Sequence, residues 1–199
     1  MSRDKQILAE NISAKHFALG PLDGRYSQIG EKLAPYFSEY ALVKNRVKVE
    51  VFWLKFLLEN VNGSDILDAF DIDRLPEIMA IYTNFSDDSY VRVKEIESVT
   101  NHDVKSVELF VAEKLKEMGM DSLISFVHIG CTSEDITNPS YANMISSALR
   151  DVWIPAAEQL IEKISELAIN NANTAMLAHT HGQPATPTTV GKEMMVYVY

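Results

Sequence analysis

Residues 133–170, SEDITNPSYANMISSALRDVWIPAAEQLIEKISELAIN, hold the longest helical pattern in the chain, and their reading decides the fold class. Apolar residues return at helical spacing for nearly the whole length. Pro139 falls in the first turns, and Pro155 should kink the helix or divide it in two, because a proline inside a helix removes a donor and crowds the preceding turn. Thr132 just ahead of the stretch and Asp135 within it form a variant capping box, with an acid in place of the usual Glu. Further back, Ser122–Ile129 is a short apolar piece, and Val104–Met118 is a helical run that stops at Gly119. Ser86-Asp87-Asp88 reads as a cap for a helix carrying Val91, Val93, Ile96 and Val99, and Asp71–Phe85 as a shorter helix with Pro76 in its first turn. From Ser38 to Asn60, Leu42, Val43, Val47, Val49, Trp53, Leu54 and Leu57 recur at three- and four-residue steps, with Lys44, Arg46, Lys48 and Glu50 between them. Val51-Phe52-Trp53-Leu54 is apolar nearly all round, which predicts a helix buried at its centre. Stretches of β-branched residues are short and hairpin dipeptides are absent, so the fold class is all-α.

Downstream, helix-forming residues continue through Ile161–Met176. They give way to His179-Thr180-His181-Gly182-Gln183-Pro184-Ala185-Thr186-Pro187, whose prolines predict an ordered loop. The chain then enters an apolar helix-like stretch, Gly191–Tyr199, and stops without a cap, which reads as a fragment cut inside a helix.

The chain has 199 residues, 28 acidic against 18 basic, and a net charge of −10. Such a charge repels nucleic acid and anionic membrane at long range, so neither is an expected partner. A single cysteine, Cys131, excludes an internal disulfide and fits a reducing compartment. No apolar stretch reaches the length of a membrane span, and Met1–His16 lacks a signal-peptide core, so the expected location is the cytoplasm. His16 is assigned no role.

Three polar stretches stand ahead of predicted helices: Thr100–Asp103, Cys131–Asp135 and Thr180–Pro187. Helix N-termini present unpaired N–H groups and partial positive charge, which suits carboxylates and phosphates. Ordinary capping explains any one of them, but not a histidine in two of the three together with Gln183. His181 is a proton-transfer candidate because imidazole titrates near neutrality. Arg25 and Tyr26, in the turn-rich segment Gly20–Tyr26, offer a bidentate cation and a ring that can stack or donate. No P-loop or dinucleotide glycine pattern and no nucleophile elbow occur. His128, Cys131, His179 and His181 could ligate zinc, but paired clusters with finger-like spacing are lacking. His128 lies in an apolar stretch and reads as a satisfied core histidine.

Four stretches carry a family resemblance: Pro-Leu-Asp-Gly-Arg-Tyr at 21–26, Val-Thr-Asn-His-Asp-Val-Lys at 99–105, Cys-Thr-Ser-Glu-Asp-Ile at 131–136 and Thr-His-Gly-Gln-Pro-Ala-Thr-Pro at 180–187. In this order they resemble the adenylosuccinate lyase family, within the fumarase and aspartase superfamily, and particularly its bacterial members. The resemblance implies cleavage of adenylosuccinate to AMP and fumarate, and of the succinyl-aminoimidazole carboxamide ribotide to fumarate and the carboxamide ribotide. It implies His181 as general acid and His102 as an assisting substrate contact, with Asn101 and Asp103 beside it. Arg25 and Tyr26 would grip the phosphate, Thr132 and Ser133 a succinyl carboxylate, and Thr180 and Gln183 would line the substrate. No metal or organic cofactor is implied. The resemblance also implies a homotetramer, an N-terminal helical domain at 1–120 and the start of a central helical bundle at 121–199. Gly20 and His179 depart from the residues common in the family. The family's catalytic base is a serine on a downstream loop, so the 199 residues alone are expected to be inactive. A sibling lyase of the superfamily and a non-catalytic helical scaffold, associating through the apolar face near Met194–Tyr199, are the alternatives.

Overall fold

The computed structural model describes residues 20–199, and these divide between two compact units, 20–147 and 148–199. In the first, the central helix is α1, Glu39–Asn60, whose N-cap Ser38 accepts a hydrogen bond from the Ala41 amide at 3.2 Å. Val43, Val47, Val51, Leu54 and Leu57 lie on one stripe of α1 and are buried. They meet α2 (Leu75–Thr83), α3 (Asp87–Thr100) and α4 (Asp103–Glu117). These contribute Ile78, Val93, and Val107, Phe110, Val111 and Leu115 to one core. Phe110 stands edge-on to Phe85 at 5.8 Å, and Tyr40 packs on Phe85 while its hydroxyl donates to the Phe85 carbonyl. Gly119, at φ +68°, ends α4 as the sequence predicts.

The centre of α1 is not buried all round. Val51 and Leu54 are sealed, yet Phe52 and Phe56 are 44% and 49% exposed, because the core covers one face of the helix only. The short apolar piece is a 3₁₀ segment, Asp121–Phe126, and it leads to α5, Ser133–Ala148.

In the second unit a π-helical turn, Leu149–Trp153, precedes α6, Ile154–Asn170. The cause is Pro155. It has no N–H for the Asp151 carbonyl, and the chain widens so that Ile154 N–H bonds the Leu149 carbonyl instead. The predicted break is therefore a wide turn.

Helix does not continue to Met176. It stops at Asn170, within the sequence Asn170-Asn171-Ala172-Asn173, where the Asn171 side-chain amide donates to the Leu167 carbonyl at 2.9 Å and satisfies a last-turn acceptor. Two antiparallel strands follow, β1 (Ala175–Thr180) and β2 (Gln183–Thr189), before the short helix α7 (Val190–Met195). The expected loop at 179–187 is thus a β-hairpin, a local exception in a helical protein. Pairing runs from Ala175 opposite Thr189 to Thr180 opposite Gln183, with an irregularity between Leu177 and His179. Pro184 and Pro187 fit because a two-stranded ribbon leaves an outer edge with no ladder to feed. Gly191 lets α7 lie against the end of α6: a Cβ there would stand 2.3 Å from the Ala168 carbonyl oxygen.

Candidate active site

The first polar stretch is a sharp reversal between α3 and α4. Asn101 closes α3 in the left-handed region, φ 50°, with its N–H on the Glu97 carbonyl at 2.8 Å. Asn tolerates that conformation better than most residues. His102 then caps α4, its Nδ1 accepting the Lys105 N–H at 3.1 Å. An accepting Nδ1 puts the neutral ring's proton on Nε2, leaving Nε2–H free to donate. It also means that the 3.8 Å approach of Asp103 Oδ1 to Nδ1 is not an ion pair. Asp103 turns instead to Arg46 on α1, Oδ2 to Nη1 at 2.7 Å, and its Oδ1 accepts the Val104 N–H at 2.9 Å. Partial burial alone would raise this carboxyl; the Val104 N–H and the Arg46 guanidinium outweigh that and hold it below the usual range.

The second stretch is tied to the same helix. His128 also takes left-handed backbone, φ 61°, and its Nδ1 lies 2.6 Å from Glu50 Oε1. Glu50 is fully buried, which pushes its carboxyl up, against the opposing pull of the His128 hydrogen bond. His128 is thus satisfied by a buried partner, as its apolar context suggests, although its own side chain is half-buried rather than in the core. The Trp53 indole N–H reaches the Ile129 carbonyl at 2.9 Å, and the Cys131 N–H bonds the His128 carbonyl at 3.1 Å. One half of the predicted capping box is present: the Thr132 N–H donates to Asp135 Oδ2 at 2.8 Å. Thr132 is exposed and Ser133 half-buried at the N-terminus of α5. Beside this loop lies a cavity of about 670 Å³, lined by Lys48, Trp53, Phe56, Cys131, Asp135 and Asn143, with the Trp53 and Phe56 rings stacked 5.5 Å apart.

Arg25 and Tyr26 sit on the turn at 20–26, where the Tyr26 N–H bonds the Pro21 carbonyl at 2.8 Å. Both are exposed, and the Arg25 guanidinium lies over the Tyr26 ring, 5.5 Å from its centroid. Among the described residues, no hydrogen bond or ion pair joins them to the loops at 100–103 or 128–135.

The third stretch belongs to the second unit. Thr180 pairs with Gln183, so the hairpin loop is two residues long, His181-Gly182. Both have positive φ, 51° and 75°, as the type I′ hairpin turn requires. His181 therefore sits at the tip of a tight turn, exposed, with Thr180 and Gln183 on either side and His179 nearby on β1.

Sequence reasoning passed over Arg46 and Glu50, which appear only as polar residues between apolar ones. The signal available was their spacing of four, which sets both charges on one face of the helix. A second signal emerges only from the backbone. Among the described residues, the non-glycine residues with positive φ are Asn101, His128 and His181, one in or just before each polar stretch. Such conformations cost about 1 kcal/mol or more each and gather where a site needs them.

The family model described as Lyase matches residues 24–199. The adenylosuccinate lyase of Buchnera aphidicola is 42% identical over 194 residues, 94% of this chain and 40% of that protein. The adenylosuccinate lyases of Escherichia coli and Haemophilus influenzae are each 44% identical over 92% of this chain and 40% of theirs. The chain thus spans about two fifths of the length of these relatives. Among solved structures, a fumarate lyase from a Mesorhizobium species superposes with a TM-score of 0.65 at 21% identity, covering 84% of this chain and 36% of that one. A β-carboxy-cis,cis-muconate cycloisomerase from Acinetobacter calcoaceticus gives 0.61 at 20%, covering 84% and 37%. At these identities the two structures speak for the fold alone.

Proposed function

The chain belongs to the lyase family, and from that membership we propose that it carries the substrate-gripping loops and the proton donor of an adenylosuccinate lyase. The observation behind this reading is the 42–44% identity to bacterial enzymes of that name over more than nine tenths of the chain. The proposed reaction is a β-elimination. A base takes the proton beside a succinyl carboxylate, and the C–H electron pair becomes the double bond of fumarate. The C–N bond breaks with its pair going to nitrogen, and an acid delivers a proton there to complete AMP. The same chemistry would act on the succinyl-aminoimidazole carboxamide ribotide.

His181 is the proposed acid. Its exposed imidazole, on a two-residue turn that fixes its backbone, supports the role. His102, with Nε2–H free, is the proposed substrate contact, flanked by Asn101 and Asp103. Thr132 and Ser133 would hold a succinyl carboxylate at the N-terminus of the 16-residue helix α5. Arg25 and Tyr26 would take the phosphate, and Thr180 and Gln183 would orient the substrate beside His181. The base, a serine in the family pattern, is proposed to lie outside these 199 residues. Residues 1–120 would be an N-terminal helical domain and 121–199 the start of a helical-bundle domain, in a cytoplasmic homotetramer.

The test is product analysis with a protein of the relatives' full length that contains this chain. Equimolar fumarate and AMP from adenylosuccinate, with argininosuccinate left intact, is the expected result. Cleavage of argininosuccinate instead would move the assignment to a sibling lyase.

A further inference from the structure

We propose that Arg46 and Glu50 are positioning residues that clamp two substrate loops, 100–103 and 128–133, onto one face of α1. The two side chains are one helical turn apart and buried, Arg46 at 7% exposure and Glu50 at 0%. Burying an ionised group is costly unless it is paired, and an apolar side chain of similar size would pack at least as well. Yet the helix keeps both polar groups, and each reaches a residue in or beside a polar loop: Arg46 holds Asp103 at 2.7 Å and Glu50 holds His128 at 2.6 Å. Arg46 Nε and Glu50 Oε2 have no hydrogen-bond partner among the described residues.

What the clamp holds is strained. Asn101 and His128 both have left-handed backbone, and neither is glycine. At the second loop three grips act together. Glu50 fixes the His128 ring, the Trp53 indole takes the Ile129 carbonyl, and the Cys131 N–H closes on the His128 carbonyl. The next residues are Thr132 and Ser133, whose direction is set by that closure. At the first loop the Asp103 anchor directly follows His102. A single helix thereby sets the spacing between a histidine and a pair of hydroxyls.

The test has a structural arm and a kinetic arm, and the kinetic one rests on the lyase reading above. Glu50→Gln removes the carboxyl at constant shape. His128→Asn removes the imidazole, while Asn tolerates the left-handed backbone. Each should raise hydrogen exchange at the Cys131 amide at least about tenfold, the expected effect of losing a buried side-chain hydrogen bond. Exchange at Val47 and Val51, inside α1, should stay unchanged and report that the fold is intact. Arg46→Met should do the same at Val104 and Lys105. In the full-length protein, KM for adenylosuccinate should rise about tenfold in all three while kcat moves less, as expected when loss falls on substrate binding. Unchanged exchange at Cys131 in both Glu50→Gln and His128→Asn would overturn the clamp. So would faster exchange with an unaltered KM. A wild-type protein inactive on adenylosuccinate would remove the lyase reading, and the Cys131 amide would still decide whether the clamp exists.

Discussion

Substituting Gly191 by alanine tests how the base of the His181 hairpin is held. The added Cβ would stand 2.3 Å from the Ala168 carbonyl oxygen, 2.7 Å from Ala172 Cα and 2.8 Å from Ala172 N. All three are backbone atoms, so no side chain can rotate away. Relieving the closest contact to an ordinary distance requires α7 to retreat by about 1 Å from α6. Two hydrogen bonds cross that seam: Gly191 N–H to the Asn171 carbonyl at 3.0 Å and Val190 N–H to the Thr174 carbonyl at 2.9 Å. A 1 Å retreat takes both beyond bonding distance, at roughly 1 kcal/mol each. If the helices instead hold position, overpacking strain costs about 1–3 kcal/mol. Either route gives a loss of about 1–3 kcal/mol, local to the second unit. Denaturant titration read by amide exchange at Val190 and Gly191 measures it. A Gly191→Ala protein with native protection at both amides would show that the close approach does not constrain the hairpin.

Three further outcomes follow from the same structure. Phe110→Ala should destabilise the first unit by about 3–5 kcal/mol, since the ring is 1% exposed at the centre of the core, whereas Ile29→Ala, at 71% exposure, should change urea stability by less than about 0.5 kcal/mol. The Asp103 carboxyl is held below its ordinary value of 3.8 in the folded state, so its contribution to stability is complete above that pH and is lost as pH falls through the folded value. Asp103→Asn should therefore flatten the fall of urea stability below pH 3.8, and an acid limb that matches wild type would contradict the Arg46 pairing.

The helices were readable because their boundaries are written in local chemistry. Ser38, Ser86 and Gly119 stop or start elements where capping and backbone preference require, and each does so in the structure. The hairpin at 175–189 was not readable. His-Gly is not among the usual turn dipeptides, and two prolines within seven residues argue against a strand until one sees that the ribbon has free edges. The π turn was half legible: Pro155 marks a break, but whether a helix kinks, ends or widens is settled by packing. Within the candidate site, His102, Thr132 and His181 stand out by residue type and place. Arg46 and Glu50 do not, because a charge in a helix looks the same in sequence whether it faces water or a buried partner. Only long-range pairing to Asp103 and His128 distinguishes them.

The most direct test of the account is His181→Asn in the full-length protein, assayed for fumarate release from adenylosuccinate. Asn-Gly is the favoured pair for a type I′ turn, so the hairpin should survive while the imidazole is lost. The expected result is a fall in kcat of about 10²–10⁴-fold with substrate binding retained, the range for a general acid. Turnover within a few-fold of wild type would contradict it, and would leave His181 as a residue of the turn alone.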